Sequence, residues 1–255
     1  MKKLYYPVLF FVLLCLSSCF DIEERYDFKV DGSCNVAYNF DMSSAVSVLK
    51  NLMSDSIKET PQFSMVKDTT LNFYSALADS TQQKMTPDEA NMAKTSNLSV
   101  KMDLKKNIMK VGINHQAKNA AELEYYLMHL SKISLNNQLK AVTKSSGKQS
   151  GGFDAQQLVA GEDYYSYDIT PHKFYRIIDK AKFNAFLKKT QSAFAMAKAM
   201  LIETPYKLVL SFAKPIKKIN NPRAIVSADR KRVTLITNMD DVIKNPSLMN
   251  IKIDF

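Results

Sequence analysis

The sequence predicts an α+β fold, with antiparallel β-hairpins forming one curved sheet and amphipathic helices covering one of its faces. Three observations carry that prediction. Apolar and polar residues alternate in short runs, as at 33–42 and 249–255. Turn-forming pairs such as Asp31-Gly32 separate neighbouring runs. Between the runs lie stretches whose apolar residues recur at helical spacing, the longest at about 180–201.

Each element follows in order. Residues 20–30 are rich in β-formers and lead through Asp31-Gly32 into 33–42, where Val36, Tyr38 and Phe40 share a face; this is a hairpin pattern. Ser43 or Ser44 is placed to cap a helix with Val46, Leu49, Leu52 and Met53 on one stripe, and Pro61 ends that segment. Phe73, Tyr74 and Leu77 predict a short helix. Thr86-Pro87-Asp88-Glu89 has the form of a capping box, with proline at the first helical position. Runs at 98–104 and 108–114, joined by Lys105-Lys106-Asn107, predict a second hairpin. Asn119, with Glu122 three residues on, is placed to cap a helix bearing Leu123, Tyr126, Leu127 and Leu130, and a shorter helix follows through Leu135 and Leu139. Residues 144–152, Lys-Ser-Ser-Gly-Lys-Gln-Ser-Gly-Gly, read as a flexible loop or a domain linker.

Beyond that segment, 164–169 and 174–178 predict a hairpin turning at Thr170-Pro171. The long helix then carries Phe183, Phe186, Leu187, Phe194, Ala197 and Leu201 on its apolar face. Strands are predicted at 206–212, 224–227 and 232–237. In the last alternating run, Met249, Ile251, Ile253 and Phe255 fall on one side. A final Phe on an alternating strand also marks outer-membrane barrels, but a barrel needs at least eight such strands with few helices between them.

Ahead of the fold stands a different kind of segment. Lys2 and Lys3 open an apolar stretch, 4–16, that closes on Leu16-Ser17-Ser18-Cys19. A positive start, a short apolar run and small residues before a cysteine make a signal peptide of the lipoprotein kind. On that reading 1–18 is removed and the thiol of Cys19 carries a diacylglycerol. A membrane-spanning helix would need about 18 to 20 apolar residues. This run is shorter, and Asp21, Glu23 and Glu24 follow at once. The acidic 21–24 stretch is similar to surface-export signals of some lipoproteins and equally to a solvated tether. The expected location is the bacterial cell envelope, anchored by lipid at the outer membrane, on its surface or its periplasmic face.

Composition sets the bounds. The chain has 255 residues, 46% of them hydrophobic and 24% charged, which is ordinary for a globular protein. Removing 1–18 leaves one large domain, expected to span 19–255. The whole chain carries +10; without Lys2 and Lys3 there are 33 basic residues against 25 acidic. Export argues against nucleic acid as the partner of that charge and favours anionic lipid headgroups or acidic glycans. A solvated basic surface with no specific partner is the other reading. Of three cysteines, Cys15 leaves with the signal and Cys19 is lipidated, so Cys34 has no intrachain partner and reads as a small buried hydrophobe.

Motifs of catalysis are not found. The six glycines assemble neither a phosphate-cradling loop nor a dinucleotide fingerprint, and no nucleophile elbow exists. His115, His129 and His172 have no zinc-binding spacing, and no CxxC pair occurs. Asp240-Asp241 and Glu162-Asp163 pair only by adjacency. The expectation is therefore a chain that is not an enzyme and uses no metal or cofactor.

The most suggestive cluster is basic. Lys214, Lys217, Lys218, Arg223, Arg230, Lys231 and Arg232 fall in one short span with Asp229 as its single acid. At one edge of the sheet they would form a positive rim for an anionic lipid or glycan, with Tyr164, Tyr165, Tyr167 and Tyr175 supplying amphipathic contacts. Strand-edge lysines that block aggregation would give the same pattern.

Several short motifs resemble the LppM-like family of bacterial lipoproteins. They are the lipobox with the hairpin at Asp31-Gly32-Ser33, the 43–55 helix, the strand end Phe212-Ala213-Lys214-Pro215-Ile216-Lys217, and the hairpin Ser227-Ala228-Asp229-Arg230-Lys231-Arg232-Val233-Thr234. The resemblance covers both ends of the mature chain and not 60–160, and Cys34 stands where that family's hairpin carries a small residue. It implies an α+β envelope domain with lipid-like ligands and no catalytic residues to transfer. The functional expectation is a binding module for an amphipathic or anionic envelope ligand; the alternative is a structural or assembly lipoprotein contacting another envelope protein.

Overall fold

A computed structural model of the protein describes residues 21–61, 63–130, 164–199 and 204–255. Outside these lie the signal at 1–18, Cys19, the helix expected through Leu135 and Leu139, the 144–152 segment, Glu162-Asp163 and Leu201. The strands in chain order are β1 (Asp21–Phe28), β2 (Cys34–Asp41), β3 (Val66–Asn72), β4 (Ser96–Asp103), β5 (Ile108–Ala117) and β6 (Tyr165–Thr170). Then come β7 (Lys173–Ile178), β8 (Pro205–Phe212), β9 (Lys218–Ile219), β10 (Ile225–Val226), β11 (Arg232–Asn238) and β12 (Ile251–Asp254). The helices are α1 (Ser43–Leu52), α2 (Asp55–Lys58), α3 (Asp79–Gln82), α4 (Pro87–Lys94), α5 (Ala120–His129), α6 (Lys180–Ala199) and α7 (Met239–Lys244).

The α+β character is present, but the strands divide into two sheets where one was expected. The larger has the order β10-β11-β8-β1-β2-β5-β4-β3, and the smaller β6-β7-β12-β9. In the larger sheet β1 and β8 run parallel, from Ile22 opposite Tyr206 to Phe28 opposite Phe212; its other pairs are antiparallel.

Local chemistry explains the hairpins. Between β1 and β2, Lys29 N donates to Ser33 O at 2.9 Å, and Gly32 takes φ +83°, which costs a glycine little. Asp31 Oδ1 accepts from both the N and the Oγ of Ser33. Between β4 and β5 the chain turns through Leu104–Lys106 onto Asn107 at φ 57°, a conformation asparagine tolerates. The capping box at α4 forms in full, with Thr86 Oγ1 accepting from Glu89 N and Glu89 Oε2 accepting from Thr86 N. Asn119 Oδ1 accepts from Glu122 N, and the face of Leu123, Tyr126, Leu127 and Leu130 is buried.

The small sheet lies on the large one through aromatic rings. Phe174 of β7 stands 5.2 Å from Tyr26 and 5.8 Å from Phe28, centroid to centroid. Phe28 stacks on Phe212 of β8 at 5.1 Å, and Phe255 closes on Phe212 at 4.4 Å. Each ring removed from water stabilises the pair of sheets by about 1.5–3 kcal/mol. At the start of α6, Phe183 is fully buried and meets Tyr164 edge-on at 4.9 Å.

Three further expectations are corrected. No residue of α1 is buried, and Leu52 is 69% exposed; Asp41 Oδ1, not a serine, accepts from Ser43 N at its start. Residues 73–77 form turns, not a helix. Asn72 Oδ1 accepts from Tyr74 N and Ser75 N in the manner of a helix cap, and Phe73 N donates to Ser96 O, but the chain continues only as turns. The tyrosines expected at the surface are core: Tyr164, Tyr165 and Tyr167 are buried, and half-buried Tyr175 donates its hydroxyl to Asp254.

Candidate functional site

The parallel pairing of β1 with β8 determines what stands at one end of the molecule. β8 and β1 finish side by side, Phe212 beside Phe28, and Ala213 N donates to Phe28 O at 3.1 Å. The loop 213–217 is thereby seated next to the β1–β2 turn. On the other side of β8, Phe212 N donates to Lys231 O, and Ser211 lies opposite Arg232. Three turns therefore meet there and bring Lys29, Lys214, Lys217, Lys218, Lys231 and Arg232 together, all exposed.

The seven basic residues singled out in the sequence do not behave alike. Arg230, at φ 56°, turns its guanidinium inward: Nε and Nη2 donate to Ile216 O at 2.9 and 2.8 Å, and Ile216 N donates back to Arg230 O at 2.7 Å. Arg230 is a clasp between two loops. Lys217 Nζ reaches Phe255 O at 3.2 Å. Arg223 leaves the group: it precedes β10 and lies 3.9 Å from Asp241 of α7, at the other end of the sheet. Lys214, Lys218, Lys231 and Arg232 project from the end without a salt bridge among the described residues.

Two of the acids here, Asp229 and Asp31, are engaged within their own turns. Asp229 accepts from Ser227 Oγ and Lys231 N, and those bonds hold its carboxyl below its ordinary range. Asp31 is held low in the same way by Ser33. A shallow open depression of about 250 Å³ lies among Ser211, Phe212, Ser227, Asp229, Lys231 and Arg232. A second, of about 280 Å³, lies over β2, β4 and β5 where Gly112 has no side chain, and is rimmed by the Lys110–Asp41 and Lys101–Asp68 pairs.

Sequence reasoning did not single out Lys29 and Val30, which join the basic end only through the β1–β8 pairing. Val30 is 85% exposed at the tip of the first hairpin. Nor did it single out a charged pair inside the fold. Arg176 of β7 is fully buried and bonds through Nη1 to Glu24 Oε2 of β1 at 2.5 Å and to Tyr206 Oη at 3.2 Å. Its guanidinium carbon lies 4.4 Å from the centre of the Tyr165 ring. Burial disfavours this charge, but the oxygens of Tyr206, Tyr165 and Glu24 outweigh it and raise the Arg176 pKa. Nε and Nη2 have no hydrogen-bond partner among the described residues.

Ser96, His115 and Cys34, which have the side-chain types of nucleophilic catalysis, are buried in the fold. Ser96 Oγ lies 2.9 Å from His115 Nδ1, but both residues are buried and Ser96 Oγ donates to Met92 O at 2.6 Å. Burial pushes the Cys34 thiol up to about 12, which leaves no thiolate at neutral pH. Among the described residues no cluster of three metal-ligating side chains forms. Comparisons of the chain with protein-family models, with curated proteins and with solved structures return no match.

Proposed function

We propose that this chain is a non-enzymatic, lipid-anchored protein of the bacterial cell envelope that binds an anionic or amphipathic envelope ligand through its basic end. One observation carries the proposal: Lys214, Lys218, Lys231 and Arg232 are exposed together without salt bridges among the described residues, while Asp31 and Asp229 beside them are bonded to their own turns and Asp254, opposite Lys218, accepts from Tyr175. Each such cation near an anionic surface contributes about 1 kcal/mol, and salt weakens the effect. Lipid attachment rests on the run from Lys2 to Cys19. The likeness to LppM-like lipoproteins supports the same reading. The function needs no cofactor.

The test uses the full mature chain with Cys19→Ala, so that acyl chains contribute nothing. At low salt it should sediment with phosphatidylglycerol vesicles and not with phosphatidylcholine vesicles. Replacing Lys214, Lys218, Lys231 and Arg232 by Glu should abolish sedimentation, while Arg223→Glu leaves it unchanged. Arg230 is left out because its loss would open the loops it clasps. Equal binding to both vesicle types, or to neither, would reject the basic end as a ligand surface.

One observation favours the second reading, a lipoprotein that contacts another protein. Ile225 and Ile236, 64% and 55% exposed, share the outer face of β10 and β11 at a sheet edge. If that edge carries the function, Ile225→Asp with Ile236→Asp would remove a co-purifying protein and leave vesicle binding untouched.

A further inference from the structure

The anchor and the basic end belong to opposite poles of one strand. β1 begins at Asp21, two residues after Cys19, and ends at Phe28, against the 213–217 loop. Seven steps of about 3.3 Å put the poles roughly 23 Å apart. Two residues of chain reach at most about 7 Å, which keeps Asp21 close to the attachment point. Electrostatic attraction fades over a Debye length of about 8 to 10 Å. With β1 standing upright on the membrane that holds the anchor, charges at the far pole gain little from that membrane.

The two poles differ in charge. At the Asp21 pole, exposed Asp240 and Asp241 mix with exposed Lys180 and Lys244. At the far pole the exposed charge is predominantly positive, and one exposed apolar residue, Val30, stands at the hairpin tip between Lys29 and Asp31, next to the loop of Lys214 and Pro215. An exposed valine beside lysines fits a bilayer interface, where the apolar side chain enters the headgroup layer and the lysines meet phosphates. A soluble glycan offers nothing to an exposed valine.

We propose that this far pole docks on a second, anionic bilayer, so that the protein bridges two membrane surfaces. The proposal rests on the lipid-anchored reading above and adds the direction in which the basic end points. A small two-layer body with its tether at one end of a central strand is suited to that geometry.

The experiment places the acylated protein in phosphatidylcholine vesicles and adds fluorescent vesicles containing phosphatidylglycerol. Capture of the second vesicles should be seen and should weaken as salt rises. Lys29→Glu with Lys214→Glu, Lys218→Glu and Lys231→Glu should reduce it at least tenfold, and Val30→Asp alone several-fold, with circular dichroism unchanged. Capture of phosphatidylcholine vesicles to the same extent would overturn the proposal. If the unacylated chain binds anionic vesicles but the anchored protein captures none, the basic end faces its own membrane; the bridging fails and the ligand reading stands. If neither form binds, both fail. If dextran sulfate beads are bound in a lysine-dependent way and anionic vesicles are not, the partner is a glycan and the bilayer proposal falls.

Discussion

A single imidazole shows how burial becomes a property of the whole protein. His115 lies flat on Tyr126, the rings 3.7 Å apart and 1° from parallel, and burial pushes its pKa down to about 3. The folded state therefore excludes a proton that the unfolded chain accepts below about pH 6.5. Where the unfolded state binds more protons, stability falls as pH falls, by up to about 1.4 kcal/mol per unit. Between pH 6.5 and 4.5 the native protein should lose on the order of 2 to 3 kcal/mol, while above about pH 7.5 this group contributes almost no dependence. Urea midpoints across that range give the measurement. His115→Phe keeps the stacked ring and should flatten the slope; an unchanged slope would assign the acid sensitivity to other groups.

Strands explain how two charges come to sit inside the fold. Period-two alternation places Arg176 on the same face of β7 as Phe174 and Ile178, and Glu24 on the face of β1 that holds Tyr26 and Phe28. The inward direction of both charges is thus legible in the alternation of their own strands, and facing sheets make them meet. Removing one member of a buried pair strands the other at a cost of about 3–5 kcal/mol, whereas an apolar replacement of both is often neutral. Arg176→Met should lower the urea midpoint sharply, and Glu24→Leu in the same chain should recover most of the loss. A double variant as unstable as the single would show that the two charges are not coupled. The caps at Thr86 and Asn119 are equally legible, since their chemistry is local. Edge strand β3 is not: its half-buried face carries Lys67 and Thr69 before Leu71, and its exposed face begins with Val66, so no apolar alternation marks it. The gathering of Lys29 with Lys214 and Lys231 is illegible for another reason, because it follows from a parallel pairing between segments far apart in the chain. The departure of Arg223 to Asp241 is hidden likewise.

At the scale of the molecule, the two parts of the chain on either side of 144–152 are interleaved. β8 and β11 complete the larger sheet beside β1, and the β7–β12 face carries Phe174 against Tyr26. Proteolytic nicking within 144–152 should therefore leave two fragments that elute together from a sizing column and separate only in denaturant. Release of two independently folded pieces would divide the chain into domains. The same β1–β8 pairing has a consequence in time. β1 can close its hairpin with β2 as soon as residue 41 has been made, but its other edge must wait for 205–212. Pairing of such long sequence separation makes folding slow relative to local hairpins. Throughout that interval the nascent chain displays Tyr26 and Phe28 on a half-built sheet, a surface that a holding chaperone would recognise and whose covering by the last strands marks the end of folding.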